Sequence, residues 1–317
     1  MVRPRGAVLM AVRNGARFLP EQLDSLAAQA GPPLTLLWRD DGSDDGSGDV
    51  IDAWAARHGT PCRQVRQPEG RLGAARGFLA LLAAAPADAA FFAFCDQDDV
   101  WLPGKTARAV AALAAVPDGT PALACARQRL VDAALQPLGE STLPARPPGF
   151  GNAIVQNIAT GCTIVLNPAA RALLLAAPPP PPGSMHDWWA YILVTGAGGQ
   201  VLFDPEPALL YRQHGANTIG ADPPLADRLR RALRRGPGGF TAMVGAHLDC
   251  LAAVEPLLAE EARRVLGLLR NMRGRGPLGR LRLARQAGLY RQSRAQDVAM
   301  ALWFALAPLP PAAEAAR

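Results

Sequence analysis

The sequence predicts an α/β fold, a mostly parallel β-sheet with helices on both faces, followed by a helical C-terminal extension. Strand and helix patterns alternate through the first hundred residues, which is typical of parallel sheets. After residue 220 the pattern changes to arginine-rich helical segments without strand signals. We therefore predict one domain over 1–220 and a basic helical region over 221–317.

The elements of the first domain follow in a regular order. Strands are predicted over 7–12, 34–38, 90–95, 122–129 and 158–166, and helices over 18–29, 49–58, 74–84, 168–176 and from His186 onward. In the C-terminal region, helices are predicted over 224–235, 242–258, 260–273 and 291–305, with breaks at Gly236-Pro237 and 274–279. Ligands of parallel sheets collect at the carboxyl ends of the strands, so functional residues are expected in the loops that follow them.

Charge is divided unevenly between the two predicted regions. Residues 1–220 hold 17 Lys and Arg against 19 Asp and Glu, a net −2, and residues 221–317 hold 16 against 8, a net +8. The basic region could meet phosphates or an anionic membrane surface, or it could be a solvated helical face.

Five scattered cysteines and the lack of a long apolar run favour a cytoplasmic protein, with a peripheral position at the inner face of the plasma membrane as an option. Nucleic acid is not among the predicted partners.

The most informative segment is Asp96-Gln97-Asp98, which directly follows the apolar run Phe91–Phe94. Carboxylates two residues apart at the end of a strand can both reach one cation, and Mg²⁺ or Mn²⁺ prefers a few carboxylates with phosphate oxygens and water. Acidic triplets are also common at loop tips without a metal. The apolar strand before the triplet and Asp99–Pro103 after it favour a metal site with Asp96 and Asp98 as ligands.

A second acidic segment, Asp40–Ser47, follows the second predicted strand. It resembles a calcium loop, but it lacks the glutamate at position twelve and the preceding helix of an EF-hand. Its carboxylates could accept hydrogen bonds from a pyrimidine N3–H or from ribose hydroxyls, or they could simply cap a turn. The strand before the segment favours nucleotide binding.

Two further segments carry chemistry. Asp187 stands at the start of an apolar helix and is followed by Trp188 and Trp189. An aspartate there could be a helix N-cap, whereas two indoles suit a wall on which the apolar face of a sugar stacks. Further along, Tyr211–Asn217 packs five hydrogen-bonding side chains into seven residues after a strand.

Taken in order, these four segments resemble the family 2 glycosyltransferases, and within them the bacterial rhamnosyltransferase-like branch. The resemblance spans 7–220, roughly two thirds of the chain. It implies the GT-A fold, with a nucleotide-binding half over 1–116 and an acceptor half over 117–220. The region beyond residue 220 gains nothing from it.

The resemblance also implies roles for single residues. Nucleotide and donor contacts would come from residues of the strand-end loops: Ala11, Arg13, Asn14, Asp40, Asp41, Arg76, Asp96, Gln97, Arg212 and His214. The metal ligands would be Asp96, Asp98 and His214, and the catalytic base would be Asp187. The acceptor side would be lined by Asn157, Gly161, Cys162, Trp188 and Trp189. Two positions depart from the family pattern, since Arg13 replaces the usual aromatic residue and Gly77 stands where asparagine is frequent.

The predicted function is the Mg²⁺- or Mn²⁺-dependent transfer of a sugar from a dTDP- or UDP-sugar to a glycan or lipid-linked acceptor, with rhamnose as one candidate sugar. One base suffices for a single inverting displacement, and the motifs offer no second carboxylate that would act as a nucleophile for retention. Two alternatives stay open. A nucleotidyltransferase would use the same acidic sheet edge, although Arg13–Ala16 is a poor phosphate loop. A non-catalytic nucleotide-sugar or glycan-binding module would not need Asp187.

Overall fold

A computed structural model describes residues 5–66, 70–214 and 225–312, with the backbone alone over 225–235. The strands are β1 Gly6–Val12, β2 Leu34–Asp40, β3 Cys62–Gln64, β4 Phe91–Cys95, β5 Val100–Trp101, β6 Ala122–Val131, β7 Pro137–Glu140, β8 Val165–Leu166 and β9 Gln200–Arg212. The α-helices are α1 Leu19–Ala27, α2 Ser47–His58, α3 Gly73–Ala84, α4 Lys105–Ala114, α5 Phe150–Ala153, α6 Pro168–Ala176, α7 His186–Gly196, α8 Leu225–Ala252, α9 Glu260–Arg270, α10 Pro277–Gln286 and α11 Arg294–Leu306.

The chain divides into two compact units that do not follow a single boundary. Unit 1 consists of Met1–Leu143, Ala159–Leu175 and Gln200–Ala221, and unit 2 of Pro144–Ile158, Ala176–Gly199 and Asp222–Arg317. The segments 144–158 and 176–199, predicted in the first domain, thus cluster with the C-terminal helices. The reason is packing within unit 2, where Phe150 and Leu258 enclose Gly196 and the N–H of Ala259 donates to Gly196 O at 2.8 Å.

Unit 1 is built on one sheet with the strand order β3-β2-β1-β4-β8-β6-β9-β5, and β7 lies beside β6. The strands β3, β2, β1 and β4 are parallel, whereas β8 enters antiparallel between β4 and β6. The sheet is therefore mixed, with its parallel part near the N-terminus. Every residue of β4 is buried, as expected for a strand covered on both faces. Because Val12 pairs with Asp40 and Met10 with Cys95, the loops after β1, β2 and β4 lie at one edge of the sheet.

The segment 158–166 differs from its predicted strand. Only Val165–Leu166 is a strand, and Gly161–Thr163 forms a 3-10 turn before it. Both the N–H and the hydroxyl of Thr163 donate to Thr160 O, at 2.9 and 2.7 Å, which closes this turn. The local hydroxyl bond therefore competes with the sheet ladder that the apolar pattern favours.

Unit 2 is helical over its described residues. Gly236 has a φ of 62° inside α8, so the predicted break at this glycine is confirmed. The ring of Phe240 packs against Trp303 and Phe304 of α11, with ring centroids 5.1 and 5.3 Å apart. Among the described residues, no helix is both long and apolar enough to cross a bilayer.

Candidate active site

The loop after β1 is tied to the loop after β4. Gln97 Oε1 accepts from Arg13 N at 2.8 Å, and Gln97 Nε2 donates to Arg13 O at 2.9 Å. Asn14 has a φ of 49°, and its Oδ1 accepts from Asp44 N at 3.0 Å. A Cβ on Gly15 would come within 2.4 Å of Gln97 Oε1, so glycine permits this close approach. The amide of Gln97 is therefore engaged in holding two strand-end loops together.

Asp40 organises the turn that follows β2. Its Oδ1 accepts from Gly42 N at 3.2 Å, from Ser43 N at 2.9 Å and from Ser43 Oγ at 2.7 Å. These bonds form an Asx-type turn, which is the capping role that the sequence left open. All of them end on one carboxylate oxygen, so the same carboxylate has a second oxygen, Oδ2, with which a nucleotide could be bound.

Asp41 instead joins β2 to the start of α3. It accepts from Arg39 Nη1 at 2.5 Å, from Leu72 N at 2.7 Å and from Gly73 N at 3.0 Å. Burial acts to raise the pKa of Asp41, but the bonds from Arg39, Leu72 and Gly73 outweigh it and hold the pKa below its ordinary value. Asp41 is thus an ionised structural link, which differs from the predicted contact with the nucleotide.

Three carboxylates follow β4, and they sit at different depths. Asp96 is half-buried, the side chain of Asp98 is 16% exposed, and Asp99 is 1% exposed. Asp98 Oδ2 lies 2.9 Å from His214 Nε2. Asp99 Oδ1 accepts from Arg212 N at 3.2 Å. Burial, followed by the charges of Asp96 and Asp98, raises the pKa of Asp99 well above its ordinary value.

Arg212 is buried inside unit 1, where its side chain supports the backbone of the acidic loop. Its Nε donates to Asp98 O at 2.8 Å, its Nη1 to Ala133 O at 2.6 Å and its Nη2 to Glu21 Oε2 at 2.5 Å. The side chain is only 2% exposed. Its position therefore differs from the predicted contact with a diphosphate, because its donors serve the protein's own loops.

Phe18 forms a platform beneath this arrangement. The ring of His214 stacks on Phe18 with centroids 4.6 Å apart and planes at 26°. The guanidinium carbon of Arg212 lies 4.7 Å from the same ring centroid, and that of Arg17 lies 5.0 Å away. Phe18 thus fixes the ring that reaches Asp98.

Lys105 is a cation buried close to the acidic loop. Its side chain is 2% exposed, and its Nζ lies 3.5 Å from the ring centroid of Trp101. Burial lowers the pKa of Lys105 to about 8, against the raising effect of Cys95, Cys162 and the nearby aspartates. Lys105 therefore supplies positive charge near the loop with Trp101 as a neighbour.

In unit 2, Asp187 lies in the first turn of α7, whose N-cap is Met185. Asp187 Oδ1 accepts from Trp188 N at 2.6 Å. Trp188 is half-buried, and its Nε1 donates to Ala153 O at 2.7 Å. Trp189 is completely buried, and its Nε1 donates to Pro178 O at 2.9 Å. The buried ring of Trp189 differs from the predicted sugar-stacking wall, because a sugar cannot reach it.

Comparisons with known proteins match the part of the chain that forms this sheet edge. The family model described as Glycosyl transferase family 2 matches residues 7–130, which include the loops after β1, β2 and β4. Residues 7–130 carry a glycosyltransferase family 2 domain. The dTDP-rhamnosyl transferase RfbG of Shigella flexneri is 23% identical over 221 residues, which cover 67% of this glycosyltransferase and 74% of that relative.

Solved structures of low identity share the fold. S. aureus TarS 1-349 in complex with UDP-GlcNAc is 14% identical with a TM-score of 0.54, covering 83% of this chain and 86% of that one. The mannosyltransferase PcManGT from Pyrobaculum calidifontis, in complex with GDP-Man and Mn²⁺, is 18% identical with a TM-score of 0.51, covering 95% and 85%. The predicted GT-A fold of this glycosyltransferase is therefore confirmed.

The predicted site residues of this glycosyltransferase fall into both units. Unit 1 holds the predicted donor and metal residues together with two of the acceptor group: Ala11, Arg13, Asn14, Asp40, Asp41, Arg76, Asp96, Gln97, Asp98, Gly161, Cys162, Arg212 and His214. Unit 2 holds Asn157, Asp187, Trp188 and Trp189. Arg76 is exposed on α3, whereas Gly161 and Cys162 are buried. The predicted motif residues Gly215–Asn217 lie outside the described residues.

Phe18 and Lys105 gave no site prediction from the sequence, and Asp99 was named only as part of the segment that follows the triplet. Asp99 stands next to the predicted triplet, so its acidity was visible but its burial was not. Phe18 and Lys105 gave no usable signal, because a lone aromatic before a helix and a lone lysine at a helix start are common. Their contacts join residues far apart in the sequence, such as Phe18 and His214.

The acidic loop of this glycosyltransferase fits a hard divalent cation. Ligand atoms of Asp96, Asp99 and Cys162 lie within 4.8 Å of one another. The Oδ2 of Asp99 is buried and makes no hydrogen bond to another described residue. Carboxylates with an imidazole such as His214 suit Mg²⁺ or Mn²⁺, whereas the thiol of Cys162 is a softer donor. The carboxylates of Asp96 and Asp99 could therefore share such an ion, and Asp98 of the same loop, paired with His214, is a second source of ligands.

Replacing Arg212 tests its structural role. We expect Arg212→Gln to lower the free energy of unfolding by about 3 kcal/mol or more. The hydrogen bonds from the charged guanidinium to the two backbone carbonyls contribute roughly 1.5–3 kcal/mol each, whereas the ion pair with exposed Glu21 contributes less. Urea unfolding measures the change. The control is Arg17→Gln, which removes an exposed arginine that also lies over Phe18. A loss below about 1 kcal/mol would assign Arg212 no such role.

Two buried histidines predict acid sensitivity in unit 2. Burial lowers the pKa of His247 to about 4 and that of His186 to about 3, so both are neutral in the folded protein. Unfolded histidine titrates near 6.5, so the unfolded chain takes up these protons first as the pH falls. The stability they contribute is complete above about pH 6.5 and is lost as the pH falls towards 4.

His247→Gln should remove its share of this pH dependence. The fall in unfolding free energy between pH 7.5 and pH 5 should be smaller in the variant by about 2 kcal/mol, because one proton contributes about 1.4 kcal/mol per pH unit below pH 6.5. Urea unfolding at the two pH values measures it. Exposed His58 provides the control variant His58→Gln. An identical pH dependence in wild type and His247→Gln would contradict the prediction.

Proposed function

We propose that this glycosyltransferase moves a sugar from a nucleoside diphosphate donor to an acceptor hydroxyl with inversion of the anomeric carbon. The observation that carries the proposal is the acidic loop after β4, where ligand atoms of Asp96 and Asp99 lie close together and Asp98 Oδ2 lies 2.9 Å from His214 Nε2, at the edge where the parallel strands end. Ligands of such sheets gather at this edge. The dTDP-rhamnosyl transferase relative supports a dTDP-sugar, with rhamnose as the first sugar to test.

Asp96 and Asp98 with His214 would hold Mg²⁺ or Mn²⁺. When bound, the ion would offset the negative charge that develops on the departing diphosphate. Asp40 has a carboxylate oxygen with which it could orient the base or ribose, and exposed Arg13 and Arg76 could approach the phosphates. Gln97 keeps the loops after β1 and β4 together, so the donor would meet a preformed surface.

Asp187 would accept the proton of the acceptor hydroxyl as that oxygen attacks the anomeric carbon. Its place in the first turn of α7 stabilises the ionised carboxylate, because the N-terminal end of a helix favours negative charge. A single displacement with one base inverts the centre, so no covalent sugar–enzyme step is needed. A glycan or a lipid-linked glycan would supply the hydroxyl.

Product stereochemistry and metal dependence test the proposal together. The purified protein is incubated with dTDP-rhamnose, other dTDP- and UDP-sugars and candidate acceptors, after chelation and after Mn²⁺ is restored. We expect an inverted anomeric configuration by proton NMR at early times and activity only with the ion. A retained configuration, or full activity after chelation, would refute the corresponding part of the mechanism.

A further inference from the structure

Helix α11 turns an uncharged apolar face to the outside. Val298, Leu302 and Leu306 are 70%, 54% and 64% exposed, and their spacing of four residues places them along one side of the helix. Met300 and Phe304, on the other side, are buried. A surface helix normally carries charged residues on its outer face. Residues 298–312 contain none, so this outer face lacks the side chains that suit contact with water.

Helix α10 runs beside α11 and also exposes an apolar side chain. Leu278 is 82% exposed. Arg280 donates to Phe304 O at 2.5 Å and to Ala305 O at 2.7 Å, so the start of α10 lies against the end of α11. Leu278 and Leu306 therefore lie at the same end of the helix pair. We call Leu278, Val298, Leu302 and Leu306 the apolar face.

Arginines accompany the apolar face. Arg282 and Arg285 follow Leu278 by four and seven residues, so they lie on the same side of α10, and both are exposed. Neither makes an ion pair with another described residue. Arg270 and Arg273 differ, since they pair with Glu255 and Asp249 at 2.8 and 2.6 Å.

The surrounding chain is basic even when its ion pairs are counted. Residues 249–312 contain ten arginines and five acidic residues, a net charge of 10 − 5 = +5, and three of these acids pair with arginines of α9 or the turn after it. The carboxylate of Asp297 is held by Arg146 at 2.7 Å. Arg282 and Arg285 therefore have no acidic partner among the described residues.

We propose that the apolar face, together with Arg282 and Arg285 of α10, binds the bilayer surface of an anionic membrane. Apolar side chains accompanied by arginines are typical of helices that lie in the plane of the interface, with the apolar side in the acyl boundary and the cations at the headgroups. A second copy of the chain fits less well, because it would bring two positive surfaces together. The inference goes beyond the proposed function and does not rest on it, since lipid binding needs no sugar transfer.

Co-sedimentation of the full chain with vesicles tests the proposal. Vesicles of phosphatidylcholine alone are compared with vesicles that also contain phosphatidylglycerol, at low and at high salt. We expect binding that needs the anionic lipid and weakens as salt rises, because exposed charges are screened over about 8–10 Å at physiological ionic strength. Equal binding to both vesicles, or binding to neither, would overturn the proposal.

Paired variants separate the two contributions. Val298→Gln with Leu302→Gln should weaken binding by about tenfold or more, because two apolar side chains no longer enter the acyl boundary. Leu138→Gln is the matched control, since Leu138 is 59% exposed on β7. Arg282→Gln with Arg285→Gln should weaken binding by about thirtyfold, the equivalent of about 1 kcal/mol for each cation. Arg57→Gln, at an exposed arginine of α2, is its control.

These residues are exposed, so the variants should fold, and thermal unfolding checks this. Vesicle binding that neither double variant reduces would overturn the proposal. A lipid-free dimer that dissociates in the Val298→Gln, Leu302→Gln variant would assign the apolar face to a second copy instead. Sedimentation velocity without lipid decides that question, and a monomeric wild type is the expected result.

Discussion

Asp98→Ala is expected to abolish sugar transfer and the metal-dependent binding of a nucleoside diphosphate. The substitution removes a carboxylate from a site with few other ligands and takes away the partner of His214 Nε2. The loop itself should survive, because Arg212 binds the backbone carbonyl of Asp98 and not its side chain. Calorimetric titration of dTDP or UDP, with and without Mn²⁺, measures the effect.

Asp88→Ala is the matched control for Asp98→Ala. Asp88 is exposed and precedes β4, at the opposite end of the strand from the acidic loop. We expect this control to bind nucleotide and metal like the wild type. If Asp98→Ala keeps an undiminished dependence on Mn²⁺, Asp98 is not a ligand, and the cluster Asp96, Asp99 and Cys162 becomes the better assignment.

The position of the site could be predicted because it follows from strand periodicity. Apolar runs place β1, β2 and β4 in the core, and parallel pairing then brings the residues after them to one edge. Asn14, Asp40 and Asp96 could be placed at this edge in this way, from residue type and position alone.

The internal arrangement of the site could not be predicted, because it depends on contacts between distant residues. Arg212 and Asp98 are 114 positions apart, and only the folded chain shows that the guanidinium supports the loop and does not face a ligand. Trp189 was likewise predicted to stack against a sugar, because an indole ring can pack against a sugar as well as in a hydrophobic core. Its complete burial and its bond to Pro178 O assign it to the core.

The two compact units cut across the predicted boundary near residue 220 for a related reason. Sequence composition changes near residue 220, whereas compactness depends on packing. Helix α7 packs with the C-terminal helices through His247 of α8. The ring of His247 contacts Trp188 edge-on, with ring centroids 4.8 Å apart. Its Nε2 also forms a hydrogen bond with Ser184 Oγ at 2.8 Å. The basic region therefore shares a core with the segment that carries Asp187.

Asp187→Asn is expected to preserve donor binding and to reduce turnover by about 10²-fold or more, the scale of a lost general base. The asparagine keeps an oxygen that can accept from Trp188 N, so the start of α7 should hold its shape while the proton acceptor is lost. Steady-state kinetics give kcat, and calorimetry gives the donor Kd. Glu260→Gln is the control, because Glu260 is an exposed acid in the first turn of α9. If Asp187→Asn loses only about 0.3–1 kcal/mol of stability and turns over like the wild type, the carboxylate serves the helix end and the base lies elsewhere.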